Sequence, residues 1–432
     1  MKYALGNMLN GAGGLNADQL SLDLQFATDK TLTARKGPTP AFTRASTATF
    51  VGSDGLIQSA AINAARFDHD PVTLACKGLL IEESRTNQIL QSEDFSTSWS
   101  NDGGRIAVST NVITSPSGAV NADKITENNI LLDRRICIAA VTVVASTVYT
   151  YSCYLKAAER DVAQLAFGGI FGNQFQNFII GGVNAGTLGS SSGVTSPQIV
   201  ALAGGWYRCT ATVTSAGSGS TQVTVGPSDS STLGKWATYL GIVGSGIFVW
   251  GAQVEAGSFP TSYIPTTTAS LARSADVCSI TGSAFSGMYN QPEGTLFADV
   301  IPQVVAQVVS VLTVNTTTFN NSHTIFKGDN SFNNPGRRWG AQTFTGGIVA
   351  TIPTSTDVAT TRSRLAYAYK LNDMAFAASG LLIGTDTSGT MPSPTAMHIG
   401  MRDSSLQING HLASVRYFRK RLSNAKLQTL TA

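Results

Sequence analysis

The chain has 432 residues and a formal net charge of +3, from 29 Lys and Arg against 26 Asp and Glu. This length predicts about two to four domains, and so small a charge excludes a large basic field for nucleic-acid binding. Charged residues make up only 13% of the chain, well below their usual share, and small or polar residues take their place. Such a composition is typical of short strands and tight turns and is poor material for amphipathic helices.

Residues 1–20 are rich in Gly and Asn and show no apolar periodicity, so we expect a flexible arm that orders on a partner particle. The segment lacks the apolar core of a secretory signal. From Ser21 onward the run SLDLQF alternates like a half-buried strand. Short β-rich pieces follow, broken by the turn signal Ser53-Asp54-Gly55. We therefore predict an irregular β attachment region over residues 21–90.

A steadier pattern of strands occupies residues 91–265. Strand-like runs recur there between clusters of Gly, Ser, Asn and Pro: VYTYSCYLKA (148–157), VAQLAFGGI (162–170), WYRCTATVT (206–214), TQVTVGP (221–227), ATYLGIVG (237–244) and GIFVWGAQVE (246–255). Regular short strands with turn signals predict an antiparallel sandwich or jelly roll. No strand–helix–strand alternation appears, so a parallel sheet is not expected.

A connector rich in Thr and Ser follows, and we place a linker at residues 266–292. A second β-rich block fills residues 293–432, and a short helical turn is predicted between Leu422 and Leu430. The predicted fold class is all-β: two antiparallel β-sandwich (jelly-roll) domains in tandem, preceded by an extended N-terminal arm and the β attachment region. No apolar run is long enough to span a bilayer as a helix.

The five cysteines, at positions 76, 137, 153, 209 and 278, are odd in number, far apart and without a CxxC spacing. They predict neither a disulfide framework nor a zinc site. Cys137, Cys153 and Cys209 lie in strand-like apolar runs, which favours buried thiols. A chain that folds in a reducing cytoplasm fits this pattern best.

The run GLLIEESRTN (78–87) could be a catalytic cluster, the rim of a binding site or a strand that ends in a solvated loop. Three apolar residues, Leu79, Leu80 and Ile81, predict a short buried run. They are followed by Glu82 and Glu83, either of which can pair with Arg85. A catalytic cluster also needs a cleft and a positioned base. We favour a strand and linker held by such a pair.

Longer segments carry recognisable motifs: GLLIEESRTNQILQSEDFSTSW (78–99), GGWYRCTATVT (204–214) and VWGAQVEAGSFPTSYIPTTTASLARSADV (249–277). They resemble the segments that enter, build and leave a carbohydrate-binding-module-like sandwich in tailed-bacteriophage structural proteins of the head-fibre and tail-fibre type. EGTLFADV (293–300) and GHLASVRYFRKRLSNAKLQTLTA (410–432) resemble the two ends of a concanavalin A-like, laminin-G-like jelly roll. The resemblance covers residues 20–432 and implies these two folds for residues 91–265 and 293–432.

Aromatic side chains near loops are the carbohydrate-binding candidates, because sugar rings stack on Trp and Tyr through their C–H faces. Trp236 and Tyr239 follow a Ser-rich loop, and Trp339 follows Arg337 beside an Asn-rich loop. We take these four as the candidate site residues. A core or interface position is the alternative for each ring, since Trp is highly buried on average.

The Asn-rich loop GDNSFNNPG (328–336) offers oxygen ligands of the kind that calcium takes, with Asp329, Asn330 and Asn333 as candidates. The spacing is not that of an EF-hand, so a plain loop is the alternative, and no other cofactor is predicted. His69 in FDHDP could join a metal cluster, although a turn explains it as well. GSSSG (189–193) matches a nucleophile elbow but lies in a low-complexity loop, which does not predict a hydrolase.

The resemblance implies a non-enzymatic virion structural protein, made in the bacterial cytoplasm and exposed on the exterior of the phage particle. Its N-terminal region would attach to capsid or tail proteins, and we expect a homotrimer by analogy with phage fibres. We expect a head fibre or capsid decoration protein with weak glycan adhesion, and the alternative is a tail fibre that recognises host surface polysaccharide. A glycan-cleaving enzyme is disfavoured because Glu293 is the only Glu in residues 293–422. No nucleic-acid or membrane partner is predicted.

Overall fold

The computed structural model describes residues 19–101, 104–129, 131–132, 139–303, 307–316, 320–328, 338–354 and 361–432. Nearly all regular structure in these residues is β-strand, and the strands pair antiparallel, which confirms the predicted all-β class of antiparallel sandwiches. Of the predicted N-terminal arm, only residues 19 and 20 are described. No helix in the described ranges is both long and apolar enough to cross a membrane.

In the described residues before residue 90 the strands are β1 (Leu20–Leu24), β2 (Ala41–Thr43), β3 (Ala48–Val51), β4 (Ile57–Ala60), β5 (Phe67–His69), β6 (Cys76–Ile81) and β7 (Arg85–Asn87). The next strands are β8 (Ile106–Thr114), β9 (Val120–Glu127), β10 (Leu131–Leu132), β11 (Ala139–Val143), β12 (Val148–Ala157), β13 (Val162–Gly168), β14 (Phe175–Ile179), β15 (Thr187–Ser192), β16 (Thr195–Ala201), β17 (Tyr207–Thr214), β18 (Gly219–Ser228), β19 (Tyr239–Leu240) and β20 (Gly246–Ala256).

The remaining strands are β21 (Leu271–Arg273), β22 (Val277–Thr281), β23 (Glu293–Pro302), β24 (Val309–Asn315), β25 (Asn321–Lys327), β26 (Trp339–Thr345), β27 (Ile348–Pro353), β28 (Ser363–Lys370), β29 (Met374–Ala378), β30 (Leu381–Asp386), β31 (Ala396–Ile399) and β32 (Gly410–Phe418). The described α-helices are α1 (Phe26–Asp29), α2 (Gly282–Met288) and α3 (Asn424–Thr431).

One sandwich, which we call the split sandwich, is built from the two ends of the chain. Its eight-stranded sheet has the order β30-β29-β28-β23-β32-β6-β5, with β1 also on β32, and its seven-stranded sheet has the order β2-β22-β31-β24-β25-β26-β27. The predicted division set residues 21–90 and the linker 266–292 apart from a jelly roll at 293–432. The strand pairing instead joins β1, β2, β5, β6 and β22 to the strands of that jelly roll.

The N-terminal strands belong to the split sandwich because their apolar residues complete its core. Leu22, Leu79 and Ile81 are fully buried in one cluster with Leu296 and Val415 from the C-terminal half. Burying a side chain of this size stabilises the fold by about 1.5–3 kcal/mol, so these strands contribute to its stability and are not an appendage.

The other sandwich, which we call the inserted sandwich, is formed by the continuous residues between the two halves. Its five-stranded sheet has the order β11-β18-β13-β14-β15, and its six-stranded sheet has the order β16-β17-β12-β20-β9-β8. Strand β12 shows why the two sheets pack face to face. In VYTYSCYLKA every second residue is buried in the core between the sheets, namely Tyr149, Tyr151, Cys153 and Leu155. The predicted strand at 148–157 is confirmed.

Short two-stranded pairing closes the base of the inserted sandwich. Strand β7, which enters it, pairs with β21, which leaves it, and Arg85 lies opposite Arg273 in this register. Asn87 reinforces the contact, because its side-chain amide donates to the carbonyls of Ala252 and Ile264 at 3.0 and 2.9 Å. We call β7 and β21 the neck.

Two outer sheet faces are covered by apolar packing. On the eight-stranded sheet, Phe297 and Phe418 pack against Leu427 of α3, which confirms the predicted closing helical turn. On the six-stranded sheet, Trp206 and Trp250 are buried in a cluster that includes Ile57 of β4. The outer faces of the five-stranded and seven-stranded sheets carry more polar residues, and both contain a surface depression.

Candidate functional site

A buried charged cluster lies where the two sandwiches meet, at the end of β6. Glu82 pairs with Arg66 at 2.8 Å and with Arg273 at 3.0 Å. Asp276 pairs with Arg66 at 2.6 Å and with Arg44 at 3.1 Å. All five side chains are at most 1% exposed. We call these five residues the junction cluster.

The junction cluster is explained by charge pairing and not by catalysis. Burial raises the pKa of the Glu82 carboxyl, but Arg273, Arg66 and hydrogen bonds from Ser262 together lower it to about 2. Ser262 donates to this carboxylate through its backbone N–H at 2.8 Å and its hydroxyl at 2.7 Å. Glu83 pairs with Arg85, as predicted. The run GLLIEESRTN is therefore a strand end whose acids connect β6 to the neck and to the chain leaving the inserted sandwich.

A second polar cluster lies on the outer face of the five-stranded sheet. The loop of residues 229–238, which we call the Trp236 loop, joins β18 to β19 and folds back over this face. Asn177 of β14 donates to the carbonyls of Ser231 and Leu233 at 3.2 and 2.7 Å. Gln164 of β13 donates to the Gly234 carbonyl at 3.1 Å. Side chains that project from the sheet therefore hold the loop in one position.

Trp236 is fixed at the end of this loop. Its backbone N–H donates to Gln164 Oε1 at 3.0 Å, and its indole N–H donates to Thr224 Oγ1 at 3.0 Å. Lys235 Nζ lies 3.8 Å from the ring centroid. The φ angle of Trp236 is +50°, in the left-handed region that disfavours a bulky side chain. The sheet thus holds a half-buried indole ring at the surface in spite of backbone strain.

A shallow depression of about 280 Å³, its open mouth included, lies beside the ring. Trp236 and Tyr239 line it together with Thr224, Pro227 and Ser228. The arrangement combines an aromatic ring with hydroxyl groups, which is the chemistry of a small saccharide site: a ring for C–H stacking and hydroxyls for hydrogen bonds.

Tyr239 forms a wall of the depression and is not an exposed stacking surface. It is 9% exposed, and its hydroxyl lies 2.5 Å from Glu127 Oε1 and 3.2 Å from the Pro227 carbonyl oxygen. Arg160 pairs with the same carboxylate at 2.7 Å, and its guanidinium lies 5.6 Å from the centroid of the Tyr239 ring. These contacts fix the wall on which the end of the Trp236 loop packs.

The structure places the third predicted ring elsewhere. Trp339 is 4% exposed and lies in the core of the split sandwich, which corrects the expectation of an exposed stacking ring. The alternation in WGAQTFT explains the position: Trp339 and Ala341 face inward from β26, whereas Gln342 lies on the other face.

Five residues with a predicted role lie outside the described residues: Cys137, Arg337 and the calcium candidates Asp329, Asn330 and Asn333. Across the part of the chain that the structure describes, no group of three or more His, Cys, Asp or Glu side chains is placed to hold a metal ion. His69 ends β5, with Nδ1 3.2 Å from the Val51 carbonyl oxygen. The predicted turn begins at the next residue, where the Asp70 carboxylate accepts from the backbone N–H groups of Val72 and Thr73 at 3.1 and 2.7 Å.

The side chains that hold the Trp236 loop were not among the residues predicted from the sequence. Gln164 stands inside the apolar run VAQLAFG and Asn177 inside FQNFI, and both are buried at outward positions of their strands. An amide at an outward position of a mostly apolar strand is the signal that could have found them, because a buried amide needs hydrogen-bond partners.

Two acids of β23 in the split sandwich, Glu293 and Asp299, are engaged in ion pairs. Glu293 pairs with Lys420 at 2.7 Å; burial raises its pKa, but Lys420 and the Arg421 backbone N–H lower it overall. Asp299 pairs with Arg362 at 2.7 Å. A glycosidase general acid needs a raised pKa. The pKa of Glu293 is lowered, so this carboxyl is not suited to that role. The GSSSG segment ends β15 and leads into β16, with no helix between them.

A comparison with protein-family models finds no match, and a comparison with curated proteins finds none either. Solved structures that match include the CBM40 domain of the Ruminococcus gnavus IT-sialidase bound to α2,3-sialyllactose, 13% identical over 34% of this chain and 88% of that one, with a TM-score of 0.29. The heptameric SAP-like pentraxin of Limulus polyphemus is 13% identical over 34% of this chain and 73% of that one, with a TM-score of 0.27.

The NanB sialidase of Streptococcus pneumoniae also matches, at 15% identity over 36% of this chain and 26% of that one, with a TM-score of 0.29. The chain therefore spans about a quarter of that enzyme. At such identities and TM-scores the likeness concerns the β-sandwich fold alone.

Proposed function

We propose that this protein is a non-enzymatic structural protein on the exterior of a bacteriophage particle, of the head-fibre or capsid-decoration type, and that its inserted sandwich binds glycans at the Trp236 loop. The observation that carries the glycan role is the partly exposed Trp236 ring held beside a hydroxyl-lined depression. The sequence resemblance over residues 20–432 supports the virion role, the attachment to capsid or tail proteins and the homotrimer.

The Trp236 loop suits weak and repeated binding. Gln164 and Asn177 fix the loop before any ligand arrives, so little conformational entropy is lost on binding. The depression is shallow, so we expect weak affinities on the order of 1 mM, or about −4 kcal/mol. Many copies on one particle would raise the avidity far above this value.

Binding without cleavage is the favoured activity. The Trp236 depression is lined by hydroxyl, amide and aromatic side chains and presents no pair of carboxyl groups, whereas glycoside hydrolysis uses two. Glu293, the single Glu of residues 293–422, has a lowered pKa in an ion pair. The competing proposal, a glycan-cleaving enzyme, predicts the release of reducing sugar.

The glycan role is tested by affinity electrophoresis of the full chain in gels that contain purified surface polysaccharide from candidate host bacteria. We expect wild-type protein to be retarded, Trp236→Ala to run unretarded and Trp236→Phe to keep part of the effect. Val183→Ala, at a fully exposed position of the same sandwich, is the matched control. Equal retardation of wild type and Trp236→Ala would refute the site, and reducing-sugar release would favour the enzyme.

The virion role is tested by immunogold electron microscopy of purified phage particles. The antibody is raised against the full chain, because residues 293–432 alone lack β1, β2, β5, β6 and β22 of their own sheets. Label over the head is the expected result. Label at the tail tip would instead support the tail fibre that recognises host polysaccharide, and unlabelled particles would overturn the virion proposal.

A further inference from the structure

One edge of the inserted sandwich carries no charged side chain. Residues 162–207 contain no Asp, Glu, Lys, Arg or His, and they form the longest uncharged segment of the chain. Strands β15 and β16 lie in this segment, at the outer positions of the five-stranded and six-stranded sheets. All their residues are exposed or partly exposed. We call residues 187–201 the β15–β16 edge.

Apolar side chains of the inserted sandwich reach the solvent at this edge. Leu188 lies opposite the core residue Phe178 in the strand register and is 42% exposed. Val194 and Ile199 pack against the same core and are partly exposed. Val200, on the other face of β16, is 48% exposed. Burial of apolar surface is favourable by about 25 cal/mol per Å², so a partner that covers this edge gains affinity.

The backbone of β16 is open on its outer side. This strand pairs with β17 on one side, and none of the described strands pairs with it on the other. A bulge disturbs the first part of the pairing, which is regular from Gln198 to Ala201. The outer side of β15 is met by the Trp236 loop, where the Ser190 backbone N–H donates to the Ser231 carbonyl at 2.8 Å. Exposed strand edges are usually protected by charged side chains, and this edge has none.

The nearest charge on the neighbouring strand is directed away from this edge. Arg208 of β17 lies opposite Val200 in the register. Its guanidinium donates to the Thr261 carbonyl at 2.7 Å and to Ser152 Oγ of β12 at 3.1 Å, on the side of β17 that is remote from β16. The β15–β16 edge therefore presents hydroxyl, amide and apolar groups without a charge that could select an oppositely charged partner.

We propose that copies of this chain meet at the β15–β16 edge, around the threefold axis of the homotrimer in the proposed function, on which this inference rests. Close to such an axis each side chain faces its own copies, so a charged residue there would meet like charges. Like-charge contacts across an interface cost several kcal/mol. An uncharged edge meets its copies without this cost, in keeping with the depletion of charge in interface cores.

Sedimentation velocity of the full chain at low salt tests this inference. Gln198→Lys adds one charge per copy at an exposed position of the edge and keeps a similar side-chain length. We expect wild type and Gln198→Met to sediment as trimers, and Gln198→Lys and Leu188→Lys to sediment as monomers. Val120→Lys is the matched control, because Val120 is 63% exposed on β9, on the far side of the same sheet. This variant should remain trimeric.

Salt separates charge repulsion from misfolding. The Debye length falls from about 10 Å at 0.1 M salt to about 3 Å at 1 M, so trimers of Gln198→Lys should reappear in part at 1 M salt. Urea unfolding of each variant confirms that it is folded. Trimers of both Lys variants at low salt would overturn this inference and leave the homotrimer, because the copies would then meet elsewhere. A monomeric wild type would overturn both. Loss of trimers in Val120→Lys would overturn the inference as well, since added charge would then act at any position.

Discussion

The two sandwiches differ in how the chain builds them and in where it puts its titrating groups. The inserted sandwich uses one continuous stretch, and residues 88–265 contain no His. The split sandwich pairs β6 with β32, more than 300 residues later, and its strands carry all four His of the chain. Local pairing favours early folding of the inserted sandwich. The split sandwich can close only when both chain ends meet, so its stability depends more on buried charges and on pH.

The largest expected effect comes from breaking the junction cluster, on which closure of the split sandwich depends. Arg66→Met leaves Glu82 and Asp276 buried without their shared partner. Removing one member of a buried ion pair costs about 3–5 kcal/mol, and we expect the free energy of unfolding, measured in urea, to fall by that amount.

Arg35→Met is the matched control for this variant. Arg35 pairs with Asp29 at 2.6 Å, but the two side chains are 40% and 25% exposed. Exposed pairs contribute about 0–1 kcal/mol. If Arg66→Met cost no more than Arg35→Met, the junction cluster would not be what stabilises the split sandwich.

The second effect is a loss of stability of the split sandwich as the pH falls. His323 stacks on Tyr369 with ring centroids 3.9 Å apart, and Nδ1 lies 2.7 Å from Thr343 Oγ1. Burial lowers the pKa of His323 from 6.5 to about 3. The stability that this neutral ring supports is therefore complete above the unfolded pKa and is lost as the pH falls from 6.5 toward 3. One such group costs about 1.4 kcal/mol per pH unit, or about 2 kcal/mol by pH 5.

Urea unfolding at pH 7, 6 and 5 measures this slope. The lowered pKa of Glu82 affects stability only below its ordinary value of 4.5. Burial raises the pKa of Glu93, which makes stability rise as the pH falls, so a loss of stability in this window comes from the histidines. His398 and His411 also have pKa values lowered by burial, and they should steepen the loss. His323→Phe keeps an aromatic ring stacked on Tyr369, and it should remove the part of the pH dependence that His323 contributes. A wild-type free energy that stays constant from pH 7 to pH 5 would contradict the prediction.

Local sequence patterns predicted which segments form strands better than they predicted which strands pair with each other. Alternation in VYTYSCYLKA is a property of neighbouring residues, so β12 was predicted correctly. Nothing near GLLI indicates that it pairs with β32, and Arg66 and Asp276 are 210 residues apart, so neither the split sandwich nor the junction cluster could be read from the chain.

The candidate rings show the same limit. Trp236 follows a Ser-rich loop, and the structure places it at the surface. Trp339 also follows a polar loop, but it is the first residue of β26 and faces inward. A neighbouring loop is thus weaker evidence for exposure than the face of the strand on which a ring lies.

A smaller effect is expected from loosening the Trp236 loop within the inserted sandwich. Asn177→Ala removes the donor to the carbonyls of Ser231 and Leu233. We expect a loss of about 1 kcal/mol in the free energy of unfolding, at the low end for unpaired polar groups because loop carbonyls can reach water. Retardation by polysaccharide should fall further than this stability loss explains, because Trp236 is no longer held in place.

Gln222→Ala is the control for Asn177→Ala, because Gln222 lies on the same sheet between the buried residues Thr221 and Val223 and away from the Trp236 loop. It should leave both the unfolding and the retardation close to wild type. Equal retardation of Asn177→Ala and Gln222→Ala would show that the loop does not need its amide support for binding.

The smallest perturbation, labelling of single thiols, shows which sandwich opens first. Cys153 and Cys209 are buried on neighbouring strands of the inserted sandwich, Cys278 is buried in the split sandwich, and Cys76 is partly exposed. A disulfide reagent that acts at acid pH should label Cys76 alone among these four in native protein. At pH 5 in urea below the unfolding midpoint, peptide mass mapping should find Cys278 labelled before Cys153 and Cys209, because the histidines weaken only the split sandwich. Simultaneous labelling of all three buried thiols would mean that the two sandwiches unfold as one unit, and the neck and the junction cluster would then couple them more strongly than their separate cores suggest.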